Sequence, residues 1–420
     1  MRLSRTIRRF DPDDVTSRDG GRAEADPRDA GLRRADVDAI WDGARALYRS
    51  RLYPAIALSL RRRGQVLLDR AIGHARGNAP DDPPGARRVP ATPRTLFNLF
   101  SASKSVTAML IHLLDQRRRI HLDDPVAEYI PGFGRHGKQW ITIRHVLTHR
   151  SGIPSVPGGG VDLDLLVDGA RIVELLCEAR PTVAPGRRLA YHALTGGFVL
   201  GEIIRRVTGA DARALLAAEI ERPLGLEHFN YGVAAAELER IAFNARTGPP
   251  VPPPMSLLLR RALGVDLATA VTASNDPRFL ASVIPAGNIY TTADQACRFM
   301  QLLLDGGAQG GVRIFEPRTV ARAVAETSYL EMDLTLGMPV RYGMGFMLGS
   351  EHVAIYGRHT ARAYGHVGFT NVVMYADPER ELALCLMTSG KPVLAAGVLR
   401  WLGLLHRIAR LVPRRVMREV

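Results

Sequence analysis

Apolar and polar positions along this chain change their period several times, and each change predicts an element. Residues 1–33 mix charged, Asp and Gly positions without a sustained period, which predicts a flexible arm. From Ala35 the apolar residues Val37, Ile40, Ala44 and Leu47 return at helical spacing. The stretch YPAIALSLRRRGQVLLDRAIGHA, residues 53–75, holds two β-rich runs around Arg63-Gly64 and predicts a hairpin. A loop with five prolines, 77–94, delivers the chain to Ser101. Beyond it Val106, Met109, Leu110, Leu113 and Leu114 recur at helical spacing and predict a buried helix. Helical patterns and loops continue to about 284, including the proline-rich TGPPVPPPM at 247–255, long enough to act as a flap. After one more helix the pattern turns strand-like in YGMGFMLG, VAIYG, TNVVMYA and LALCLMTS.

Strands at both chain ends around a helical middle imply an α+β fold. The expected division is an α/β part over 34–100 and 285–395, a helical part over 101–284, and a basic amphipathic helix over 396–420.

Charge alters this picture less than its size suggests. The net charge of +14 raises nucleic acid or an anionic membrane as partners. Of 56 Lys and Arg residues, however, only Lys104, Lys138 and Lys391 are lysines, and the arginines are scattered from end to end. Blocks such as Arg61–Arg63 lack the interleaved aromatics of a single-strand binder and the motif of a groove reader. Arginine is therefore read as the general surface cation, and no nucleic acid is expected. Cys177, Cys297 and Cys385 lie far apart in apolar stretches and predict buried free thiols. The basic start MRLSRTIRRFDPDD has no apolar segment after it, and no run approaches the length of a membrane span, so a cytoplasmic protein is expected.

The candidate chemistry begins at SASKSVTAML, residues 101–110. Ser101 and Lys104 are three apart, which on a helix puts both side chains on one face, one turn apart. A hydroxyl at a helix N-terminus meets free N–H groups that favour developing negative charge. A lysine shielded from water has a lowered pKa and can serve as a base, which arginine cannot. A serine N-cap followed by a solvated lysine would carry the same spacing. What favours the catalytic reading is a lysine heading an apolar helix in a chain that otherwise uses arginine. His145 and His149 in HVLTH have the spacing of two zinc ligands but no accompanying glutamate or third ligand, so no metal site is expected.

Taken together, FNLFSASKSVTAML, LDDPVAEYIPGF, ITIRHVLTHRSGIP, PGRRLAYHALTGGFVLGEIIRRVTG, PAGNIYTTADQACRFMQLLLDGG and YGHVGFTNVVMYADPERELALCLM resemble, in this order, the serine β-lactamase and penicillin-binding-protein-like superfamily. Within it the chain is most similar to the class VIII carboxylesterases. The resemblance implies an antiparallel sheet flanked by helices, as in class C β-lactamases, and no cofactor. It implies Ser101 as nucleophile, Lys104 as its base or neighbouring cation, and Tyr191 as the phenol placed against both. The tyrosine pKa is expected to fall beside the lysine. The backbone N–H groups of Ser101 and Phe369 would form an oxyanion hole. His366 stands where β-lactamases carry the lysine of Lys-Thr-Gly, and Gly368 would let substrate approach the strand.

Two departures from the β-lactamase pattern bear on substrate. Ala193 replaces the Asn of Tyr-x-Asn, removing an amide that would bind a penicillin side chain. His366 removes a cation that would meet a substrate carboxylate. Both changes leave acyl transfer intact and favour a small-molecule ester of short to medium acyl chain over a β-lactam. A β-lactamase, a D-alanyl-D-alanine carboxypeptidase and a transacylase share the same acyl-serine and remain the alternatives. The oligomeric state and natural ester are not readable. The C-terminal helix, with Leu399, Leu402, Leu405 and Ile408 against Arg400, Arg407 and Arg410, either lies on an anionic membrane surface or packs on the sheet. Packing is favoured because the resembled fold ends in such a helix.

Overall fold

The computed structural model describes residues 4–158, 162–352, 354–394 and 396–415. Strands β1 (Thr16–Ser17), β2 (Ala55–Arg62) and β3 (Gln65–Arg76) come from the first part of the chain. From the last part come β4 (Ser328–Asp333), β5 (Met338–Tyr342), β6 (Met347–Leu348), β7 (Tyr364–Gly368), β8 (Val372–Asp377) and β9 (Leu382–Thr388). They form one antiparallel sheet in the order β1-β3-β2-β9-β8-β7-β6-β5-β4, with the short strand Val89–Pro90 added beside β3. The two chain ends meet where β2 pairs with β9, from Ile56 opposite Thr388 to Arg62 opposite Leu382. The β2–β3 hairpin turns at Arg63 (φ 53°) and Gly64 (φ 77°), a left-handed pair that matches the twist of the strands.

The central strands read as unbroken apolar runs because both faces of the sheet are covered. On β2 and β9, the small residues Ala55, Ala57, Ala383 and Cys385 face a core that includes helix α2 (Ser103–Gln116) and the later helix Ala293–Leu304. Ile56, Leu58, Leu60, Leu384 and Leu386 face the other core, shared with α1 (Arg34–Arg49) and the C-terminal helix Ala396–Leu411. Helix α2 is buried on every side from Ser103 to Leu114, as a central helix must be.

The flexible arm expected over 1–33 is corrected for residues 4–33, which run along the body. Ile7 is buried, β1 pairs with β3, and Arg22 and Glu24 form ion pairs with Asp294 and Arg70. Their partners lie far away in sequence, so composition alone cannot reveal them. The C-terminal helix spends its apolar stripe inside the fold: Trp401, Leu404, Leu405 and Ile408 are buried, and Leu399 is exposed. All three cysteines are free and buried. Among the described residues no helix is long and apolar enough to cross a membrane.

Candidate active site

Ser101 sits in a 3₁₀ turn, Phe100–Ala102, that runs into α2. The approach is held tightly. Leu99 N–H donates to Ile289 O at 2.8 Å, Phe100 N–H to Asn98 Oδ1 at 2.7 Å, and Ile289 N–H to Ser103 Oγ at 3.1 Å. Phe100 itself takes φ 48°, a left-handed conformation costly for a large side chain and maintained only where the surroundings over-determine it. Its ring is clamped between the edge of Phe369, with centroids 5.4 Å apart, and the ammonium of Lys391, 4.6 Å from its centre.

One turn into α2, Lys104 Nζ donates to Ser101 Oγ at 3.2 Å and to Ala286 O at 2.9 Å. Among the described residues no carboxylate meets this ammonium, and burial lowers its pKa to about 7. All three lysines of the chain are buried, so the economy of lysine seen in the sequence reflects placement.

Tyr191 reaches the same point from the loop before helix α3 (Thr195–Thr208). Its ring lies with the centre 5.0 Å from Lys104 Nζ, which itself donates to Ser101 Oγ, so phenol, amine and hydroxyl meet in one pocket. The expected fall of its pKa is corrected. The lysine faces the ring and directs its hydrogen bonds to Ser101 and Ala286, so desolvation dominates and raises the phenol pKa. Asp333 on β4 accepts from Tyr191 N–H at 3.1 Å and so positions the tyrosine backbone.

Three imidazoles surround the triad, all with pKa values lowered mainly by burial: His149 well below its ordinary value, His192 to about 3 and His366 to about 3. The site is therefore a pocket of neutral rings around one lysine. His149 lies tilted against Tyr191 with ring centres 4.8 Å apart, and its Nδ1 accepts from His192 N–H at 3.2 Å. His145 Nδ1 instead accepts from Thr142 N–H in a helix cap, so the two histidines of HVLTH serve separate structural ends. Sequence reading missed the roles of His149, Asp333 and Ala286. Only the first carried a signal, and its spacing suggested a metal.

His366, expected on the substrate face, is corrected to a buried position. Its ring lies 6.3 Å from that of Tyr191, Nδ1 donates to Val367 O at 2.7 Å, and Nε2 has no partner among the described residues. Gly368 is also explained differently. A Cβ there would stand 2.3 Å from Leu99 O, so the missing side chain lets β7 close on the nucleophile segment.

Ser101, Phe369 and Ala193 are all among the residues that line a cavity of about 640 Å³. Neither Ser101 N–H nor Phe369 N–H donates to any group among the described residues, so both are free to meet a ligand oxygen. The lining is largely apolar and includes Leu163, Leu166, Phe279 and Ile284. Helices α4 (Met255–Leu263) and α5 (Leu267–Ala273), which follow the proline-rich segment, complete the cavity.

Residues 37–406 match the family model described as Beta-lactamase. The chain is 30% identical over 397 residues to esterase/beta-lactamase LipL of Mycobacterium tuberculosis, covering 89% of this chain and 85% of that one. A penicillin-binding protein homologue from Caulobacter crescentus superposes with TM-score 0.75 at 25% identity, covering 91% of this chain and 99% of that one. A family VIII carboxylesterase shares the fold with TM-score 0.76 at 24% identity, covering 90% of this chain and 99% of that one.

Proposed function

The chain belongs to the Beta-lactamase family, and on that premise we propose that it is a serine hydrolase cleaving carboxylic esters of short to medium acyl chain through an acyl-enzyme on Ser101. The observation that carries this reading is Ser101 Oγ held by Lys104 Nζ at 3.2 Å, with the Tyr191 ring centre 5.0 Å from the same amine, on the wall of a largely apolar cavity. A cavity of about 640 Å³ lies in the range that encloses small organic ligands.

In this reading neutral Lys104 accepts the Ser101 proton as Oγ attacks the ester carbonyl. The carbonyl oxygen gathers negative charge between the N–H groups of Ser101 and Phe369, which need no reorganisation. Tyr191, kept protonated by burial, gives its proton to the departing alkoxide, and the Lys104 ammonium beside the tyrosine ring returns the proton taken from Ser101 to the phenolate. Water then attacks the acyl-serine by the same route in reverse, releasing the acid.

The description of LipL names both esterase and beta-lactamase, which favours testing a second substrate class. Ala193 on the cavity wall and the buried, neutral His366 offer neither the amide nor the cation that the family's β-lactam pattern uses. The test is hydrolysis of p-nitrophenyl esters from acetyl to palmitoyl, with nitrocefin alongside, by the wild type and Ser101→Ala. Ester turnover that vanishes in Ser101→Ala, with a slower rate on nitrocefin, is expected. Turnover that survives Ser101→Ala, or wild type that accepts no fluorophosphonate label on Ser101 by intact mass, overturns the reading.

A further inference from the structure

The C-terminal helix α6 (Ala396–Leu411) buries its apolar side, and its opposite side closes a second cavity of about 550 Å³. This cavity shares no wall residue with the catalytic one. Its polar wall is Arg358, His359, Arg380, His406, Arg407 and Arg410, with no carboxylate among the described lining residues.

We propose that this cavity is a binding site for a phosphate-bearing anion. Four guanidinium groups line one concave space, and their donors are only partly used. The side chains of Arg358 and Arg410 make no hydrogen bond or ion pair among the described residues, and Arg407 gives Nη1 to Ala39 O at 3.1 Å. Arg380 is 3% exposed and fixed in place. It donates from Nε to Ala409 O at 2.9 Å and from Nη1 to His359 O at 2.7 Å and Asp377 Oδ2 at 2.8 Å. Its Nη2 has no partner among the described residues. Asp377 is engaged with Arg380 and Glu351 with His359 Nδ1, while Glu379, next to Arg380 in the chain, keeps a buried Oε2 with no hydrogen-bond partner among the described residues.

The backbone is shaped around the opening. Gly357, at φ 107°, brings its loop so close to α6 that a Cβ would stand 2.5 Å from Ala409 Cβ, and His359 follows at φ 55°. Gly403 lies inside α6 and lines the cavity, where a Cβ would meet no atom within 4 Å. A glycine inside a helix costs about 1 kcal/mol against alanine, and here no packing contact requires it. Gly403 is an exposed position on the cavity's margin, where a side chain would project into the opening.

Clustered guanidiniums repel one another until an anion joins them, and their planar forks match the oxygens of a phosphate in paired hydrogen bonds. The volume exceeds that of a bare ion, so the phosphate would carry an organic group, in a lipid headgroup or in a soluble phosphate ester.

The test uses the full chain and the double variant Arg358→Gln/Arg410→Gln, with sn-glycerol 3-phosphate and inorganic phosphate as soluble probes against chloride at matched ionic strength. Saturable binding to the wild type by titration calorimetry, weakened about tenfold or more in the variant while ester hydrolysis is unchanged, is expected from the loss of two charge-assisted contacts. Sedimentation with phosphatidylglycerol vesicles, and not with phosphatidylcholine vesicles, would assign the phosphate to a lipid. Soluble binding without sedimentation would assign it to a phosphate ester. Phosphate probes that behave as chloride does, together with equal sedimentation of both proteins or of neither, overturn the proposal.

Discussion

If neutral Lys104 is the base, the pH dependence of ester hydrolysis belongs to that residue. Burial takes its ammonium from 10.5 to about 7, a preference for the neutral amine of about 5 kcal/mol. Its hydrogen bonds go to a hydroxyl and a carbonyl, and the surrounding imidazoles are neutral, so no negative charge opposes the shift. The neutral fraction is then about 1% at pH 5, about half at pH 7 and about 90% at pH 8. For a neutral p-nitrophenyl ester at constant ionic strength, kcat/KM should climb about tenfold per pH unit below 7 and level off above 8. Lys104→Arg keeps a cation that cannot release its proton, and should lose about 1,000-fold or more without recovery at pH 9. Stability carries the same signature. The unfolded chain binds the extra proton between about pH 7 and 10.5, so resistance to urea should rise with pH across that window, with the cost of burying the charge fully present below it. Lys391, lowered to about 7 by burial, acts with the same sign. A kcat/KM profile flat through pH 7, or Lys104→Arg within tenfold of wild type at pH 8, would refute the assignment of the base.

Tyr191→Phe should cost about 100-fold on an alkyl ester and under about tenfold on a p-nitrophenyl ester, whose leaving group departs without a proton; equal losses would remove the phenol from the role of acid. Gly368→Ala places a methyl 2.3 Å from Leu99 O and should cost about 1–3 kcal/mol in urea unfolding together with most of the activity. An unchanged midpoint and rate would show that β7 and the nucleophile segment do not depend on that close approach. Ala270→Phe fills part of the cavity wall and should lower kcat/KM for octanoyl esters about tenfold more than for acetyl esters; a parallel change for both would place the acyl chain elsewhere.

The features that the amino-acid order alone determines are those carried by neighbours in the chain. The Ser101 to Lys104 spacing needs only helix geometry, and the structure delivers the contact at 3.2 Å. The Arg63-Gly64 hairpin and the apolar runs of β2, β8 and β9 likewise follow from local turn chemistry and pattern. The scarcity of lysine, visible as a count, singled out Lys104 at the head of an apolar helix, whereas the burial of Lys138 and Lys391 is seen only in the folded chain.

Burial and approach at a distance belong to the tertiary structure, because they depend on what other segments bring alongside. The desolvation that raises the Tyr191 phenol comes from rings and strands remote in sequence, and it reverses the direction expected from a neighbouring lysine. Gly368 is set by the Leu99 carbonyl, His366 by its burial beside Tyr191, and residues 4–33 by partners such as Asp294 and Arg70. A single chain states its own spacings, whereas the dielectric around a proton and the atoms that crowd a strand exist only once the chain has folded.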